Sequence, residues 1–216
     1  MKNIFYVVIA ALFFTSCDDD SLVASGSSVT ETRALESFNK ININAGRNIK
    51  VMYSNQTRIT ITGSDNLISH LQSSVSNGKL NLLYDQDHIN HEDLDITITV
   101  PYFTELHING TRQLTTHGTF DYTDNIDIVS NGESEMKSID NFTAANLNVR
   151  LTGKGIADLR TLSGSNAKAS IVGNGKIYIK TGQSLTAHIH GSGNIYYLGK
   201  PQITSDITGT GSVSSL

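Results

Sequence analysis

From residue 104 onward, apolar and polar residues alternate along the chain with a period of two. The alternation is broken at regular intervals by one phrase, seen as Gly153-Lys154-Gly155, Gly173-Asn174-Gly175, Gly191-Ser192-Gly193 and Gly209-Thr210-Gly211. Two half-copies, Ser130-Asn131-Gly132 and Ile108-Asn109-Gly110, precede them. With the last residue of each triplet as anchor, Gly110, Gly132, Gly155, Gly175, Gly193 and Gly211 follow at steps of 22, 23, 20, 18 and 18 residues. Four residues before each anchor stand Leu106, Ile128, Leu151, Ile171, Ile189 and Ile207, all large and aliphatic. Five residues before it the set is polar: Glu105, Asp127, Arg150, Ser170, His188 and Asp206. A period of two is the signature of strands, and a helical period mixes the two sets. Self-similarity at about twenty residues is the signature of a solenoid, whose turns bury an apolar face only against their neighbours. The pattern therefore predicts an all-β chain wound as a single-stranded parallel β-helix with turns of roughly 18–23 residues.

In such a stack the six aliphatic residues form a core ladder, each worth roughly 1.5–3 kcal/mol when buried. The paired glycines take an inward position where the chain bends, lacks room for a Cβ or needs positive φ. Because Ile108 and Ser130 replace the first glycine upstream, that first position reads as the less strict one. The final "GSVSSL" is short and polar, and is expected to keep the terminal edge from pairing with another chain.

The region before residue 104 has the same texture with less regularity. "NKININA", "RNIKVMY", "TRITIT", "GKLNLLY" and "LDITITV" read as strands, and Asn77-Gly78 as a tight turn before one of them. Between Ser64 and Val75, Leu67, Ile68 and Leu71 have helical spacing, which predicts a short helix capped by Asp65.

The N-terminus is of another kind. Lys2 precedes the apolar run Ile4–Phe14, eleven residues long, against the roughly 20 that a membrane-spanning helix needs. Residues 1–16 read as a lipoprotein signal peptide ending at "FTSC", with Cys17, the only cysteine, as the acylated first residue of the mature protein. A thiol consumed by lipid is consistent with an exported chain that has no disulfides. Residues 17–34, which open on Asp18, Asp19 and Asp20, read as an acidic and polar tether, with the β-helix domain over 35–216. The lipid makes the membrane the first partner, and the expected location is the outer membrane at the cell surface, its periplasmic face being the alternative.

The order of a paired strand (Ser64–Asp85), then Leu94–Thr111, then G-x-G repeats to the C-terminus resembles the putative autotransporter adhesin, head GIN domain family of Bacteroidetes lipoproteins. That resemblance implies a right-handed β-helix akin to the pectin-lyase fold, no identified catalytic residues, no cofactor and a role in adhesion. The acidic run after Cys17 likewise resembles a surface-export signal.

Charge changes this picture little. Sixteen Lys and Arg stand against twenty Asp and Glu, and no basic stripe with interleaved aromatics marks a nucleic-acid partner. On an exposed face, Glu105, Asp127 and Arg150 are predicted to stack on successive turns, an ordinary charge ladder or a glycan-cleaving acidic groove. His188 and His190 lie two apart on one strand, and "DQDHINHED" gathers His88, His91 and Glu92, but neither has zinc-site spacing. No P-loop, nucleophile elbow or Cys–His pair is present. The expected function is a non-catalytic binding or adhesion module for a glycan or protein ligand. A polysaccharide-active enzyme and a structural envelope scaffold are the alternatives.

Overall fold

A computed structural model of the protein describes residues 21–216. The leader and Cys17 lie outside these described residues. Among the described residues no helix is long and apolar enough to cross a membrane.

The first half contributes β1 (Leu22–Val23), β2 (Ser28–Ala34), β3 (Lys40–Ile43), β4 (Asn48–Tyr53), β5 (Arg58–Ser64), α1 (Asp65–His70), β6 (Leu71–Ser76), β7 (Lys79–Tyr84), β8 (Ile89–Asn90) and β9 (Asp95–Val100). The second half adds β10 (Glu105–Gly110), β11 (Gln113–His117), β12 (Thr123–Gly132), β13 (Glu135–Ser138) and β14 (Phe142–Gly153). It ends with β15 (Ile156–Gly173), β16 (Lys176–Gly191), β17 (Asn194–Leu198), β18 (Gln202–Gly209) and β19 (Ser212–Ser215). Parallel pairing of equivalent strands on successive turns builds the predicted β-helix. One face runs β7–β3–β10–β12–β14–β15–β16–β18, and the other runs β9–β4–β11–β13–β15–β16–β17–β19. The long β15 and β16 bend and serve both faces.

The turns do not begin in chain order. β3 lies between β7 and β10, and β4 between β9 and β11, so the first turn formed by the chain is the second in space. The excursion between them closes the N-terminal end with antiparallel pairs: β5 on β9, β2 on β5, and β6 on β7 through the Asn77-Gly78 turn. Both turn residues have positive φ, 51° and 69°, as a two-residue hairpin demands. The helix spans six residues, with Ser64 rather than Asp65 at its N-cap.

Residues 22–34, expected as tether, include β1 and β2. Alternating β-branched residues make the second of these a strand: Thr30 and Thr32 sit opposite Thr62 and Thr60, with their hydroxyls 2.9 and 3.4 Å apart. Arg33 fastens it by donating to the carbonyl oxygens of Leu71 (2.7 Å) and Ile68 (3.1 Å).

The register corrects the predicted columns by two residues in the early turns. Gly110, Gly132, Gly153, Gly173, Gly191 and Gly209 form one continuous column, all with φ between 93° and 132°. Their steps are 22, 21, 20, 18 and 18 residues. The first glycine of the phrase is thus the strict one. The second column holds Gly155, Gly175, Gly193 and Gly211, with Arg112 and Ser134 at the equivalent upstream positions. Accordingly Leu106 and Ile128 continue into Val149, Ala169 and Ala187, while Leu151, Ile171 and Ile189 stack below Ile108 and Ser130. Leu106, Ile128, Leu151, Ile171 and Ile189 are all buried. Ile207 is 41% exposed, because no further turn covers it among the described residues. At one corner Phe103, Phe120 and Phe142 meet edge to face, with centroids 5.1 and 5.0 Å apart along the series.

Candidate binding site

The outward side of the first face is polar and internally bonded. Lys79, Lys40, Glu105 and Asp127 are in register on four turns. Glu105 Oε2 lies 2.7 Å from Lys79 Nζ and its Oε1 3.4 Å from Lys40 Nζ. Lys79, helped by Lys40, holds the Glu105 carboxyl below the usual carboxylate range, against the opposing effect of its partial burial. Asp127 accepts a 2.8 Å bond from Asn148. Arg150 is not in that column: it stacks with His107, Val129, Ser170, His188 and Asp206. The predicted trio is therefore not assembled, and its carboxylates already have partners.

Side-chain amides link the turns. Asn42 donates to Asn81 (3.1 Å), Asn109 to Asn44 (2.9 Å) and Asn131 to Asn109 (2.9 Å). A second ladder runs from Asn146 to Asn125 (3.1 Å), Asn166 to Asn146 (3.3 Å) and Ser184 to Asn166 (2.8 Å).

His188 and His190 share the outward side of β16, and His188 Nδ1 is 4.0 Å from Asp206 Oδ2. Among the described residues no group of three or more His, Cys, Asp or Glu is placed to hold a metal. The "DQDHINHED" segment has a structural use instead. Its Glu92 accepts from Arg112 (2.8 Å), from the Tyr84 hydroxyl (2.8 Å) and from the Gly46 N–H. Arg112 also donates to the carbonyl oxygens of Gly46 (2.6 Å) and Asn109 (2.7 Å), which pins the first turns together. Burial, with the Glu92 charge beside it, pushes the Tyr84 phenol well above its ordinary value.

The second face carries the surface feature that sequence reasoning missed. Asp158, Tyr178, Tyr196 and Ser214 are in register on four successive turns. The two tyrosine rings stack with centroids 4.8 Å apart and planes 15° from parallel. Arg160 donates to both Asp158 oxygens (2.8 and 2.6 Å), and its guanidinium carbon lies 5.4 Å from the Tyr178 centroid. Arg160 holds the Asp158 carboxyl below its usual range. The column is a cation on an aromatic pair, ending beside Ser214, a side chain too short to cover a ring. A signal was available, since each tyrosine stands three residues after the second glycine of its phrase.

The fold has solved counterparts. A structure titled a putative adhesin from Bacteroides fragilis is 25% identical, with a TM-score of 0.71, covering 91% of this chain and 100% of that one. A putative adhesin from Parabacteroides merdae, 17% identical, aligns with a TM-score of 0.57 over 91% of this chain and 99% of its own. No curated protein matches the chain. The family model described as "Putative auto-transporter adhesin, head GIN domain" matches residues 37–201, and with the glycine-columned β-helix in view, the chain belongs to that family.

Proposed function

We propose that the protein is a non-catalytic binding module of the cell envelope, lipid-anchored at Cys17 and displayed on the outside of the cell. Its ligand is a glycan, met on the second face of the β-helix. The observation that carries this reading is the Arg160–Tyr178–Tyr196 column, which ends next to Ser214. A tyrosine face carries the negative lobe of the ring quadrupole and attracts the polarised C–H groups on the flat side of a pyranose. Asp158 and Arg160, bonded to one another at the rim, supply acceptors and donors for sugar hydroxyls. A flat stack of turns favours many weak contacts over one deep pocket, which is how adhesion gains strength.

The alternative of a glycan-cleaving groove loses its support, because Glu105 is held by two lysines and Asp127 by Asn148. Binding of cells that express the full chain to a glycan array tests the proposal. Saturable binding to a subset of glycans is expected, falling at least tenfold in Tyr196→Ser and little in His190→Ala. Equal binding by wild type and Tyr196→Ser overturns the site; protease protection of the domain on intact cells overturns the outward display.

A further inference from the structure

The two ends of the β-helix are finished differently. At the N-terminal end β2, bonded to β5 on one side, carries Glu31, Arg33 and threonines, while β6, bonded to β7 on one side, carries no charge. Arg33 there reaches across to the carbonyl oxygens of Ile68 in α1 and Leu71 in β6. At the other end, β18 bonds β16 along one side and has no partner strand on its other side among the described residues. All eight of its residues are exposed, with Ile203 at 43% and Ile207 at 41%, and Asp206 is its only charge. Edge strands are ordinarily protected by charge, proline or a bulge. The other face ends on β19, within the polar "GSVSSL".

We propose that β18 pairs antiparallel with β18 of a second copy of this chain, about a two-fold axis through Ser205. The strand itself supports this choice of occupant. Inward residues must face inward residues across an antiparallel pair, which permits only axes centred on a residue. An axis at Asp206 sets two carboxylates directly opposite one another, which is destabilising. The axis at Ser205 places Ile203 against the partner's Ile207 and Ile207 against the partner's Ile203. It also sets Thr204 opposite the partner's Asp206. Ile203, Ser205 and Ile207 lie in register with Leu185, Ala187 and Ile189, all three buried, so the apolar columns run on from one copy into the next. A two-fold contact closes on itself, whereas a head-to-tail contact propagates into a filament. The resulting rod has twice the length and presents each outward column twice.

A cysteine at the axis reads the arrangement directly, since residue 205 then faces its own copy across one antiparallel pair, within disulfide reach. The full chain on intact cells, carrying Ser205→Cys and mildly oxidised, should run as a covalent homodimer. Wild type should not. Adding Ile207→Asp, a change at an exposed position that leaves the single β-helix intact, should cut the cross-link at least tenfold while thermal unfolding of the domain stays within a few degrees. Light scattering of detergent-extracted wild type should give twice the chain mass. A monomer by scattering with no cross-link overturns the proposal. So does a cross-link to a different protein, or one unaffected by Ile207→Asp.

Discussion

Gly153 stands against Gly132 so closely that a Cβ on Gly153 would lie 2.5 Å from the Gly132 carbonyl oxygen. Its φ of 113° adds a second objection to any side chain. Gly153→Ala therefore has to open the backbone pairing of two turns, beyond the roughly 1–3 kcal/mol that such a conformation costs a non-glycine residue. Gly182 has no atom within 4 Å of its notional Cβ and no unusual φ. Gly182→Ala should be neutral or slightly stabilising. Urea midpoints of the two variants check both expectations.

Ile189 is buried in the column between Ile171 and Ile207, while His190 is exposed. Ile189→Asp brings an unpaired charge into that core, at several kcal/mol out of a total stability on the order of 5–15. The domain should fail to fold, as read by circular dichroism and protease resistance. His190→Asp, one residue on, should fold normally.

Ser130 interrupts the same column between Ile108 and Leu151, buried, with no partner for its hydroxyl among the described residues. An unsatisfied buried hydroxyl costs about 1–3 kcal/mol. Ser130→Ala should raise the unfolding temperature, and a decrease would mean that the hydroxyl is bonded after all.

Glu105 sets an acid limit on stability. Lys79 and Lys40 lower its folded pKa, so the contribution is present above the ordinary value of about 4.3 and is lost as pH falls through the depressed folded value. Lys79→Met removes the chief cause. The Glu105 carboxyl should then titrate higher by NMR, and stability should decline less steeply on acidification below about pH 4.

How far the sequence reveals this molecule depends on which residues repeat. Ile171, Ile189 and their neighbouring glycines recur at the spacing of real turns, and they predict the β-helix correctly. Sequence alone places Leu106 and Ile128 two residues out, because Gly110 and Gly132, with Arg112 and Ser134 in place of the second glycine, look like the end of the phrase when they are its beginning. Period-two patterning cannot detect a slip of two, since both columns point inward. The stacking of β3 between β7 and β10 was hidden for another reason: chain order alone says nothing of which turn lies outside which. Tyr178 and Tyr196 were readable as a pair, but only their shared offset from the glycines shows that they stack. At Cys17 the lipoprotein reading rests on sequence alone.

The shortening steps of the glycine column have a consequence for how this protein can vary. Exchanging turns that differ in length displaces the register shifts that absorb the difference, such as those between Leu159 and Asn166 of β15. The last two steps, from Gly173 to Gly191 and from Gly191 to Gly209, are both 18 residues, and the paired residues of these two units keep one register. There alone a duplicated or deleted unit leaves every other column undisturbed, changing the reach of the rod by about 4.8 Å each time. Lineages that need a longer or shorter arm can therefore edit it by whole units at the far end, leaving the capped base as it is.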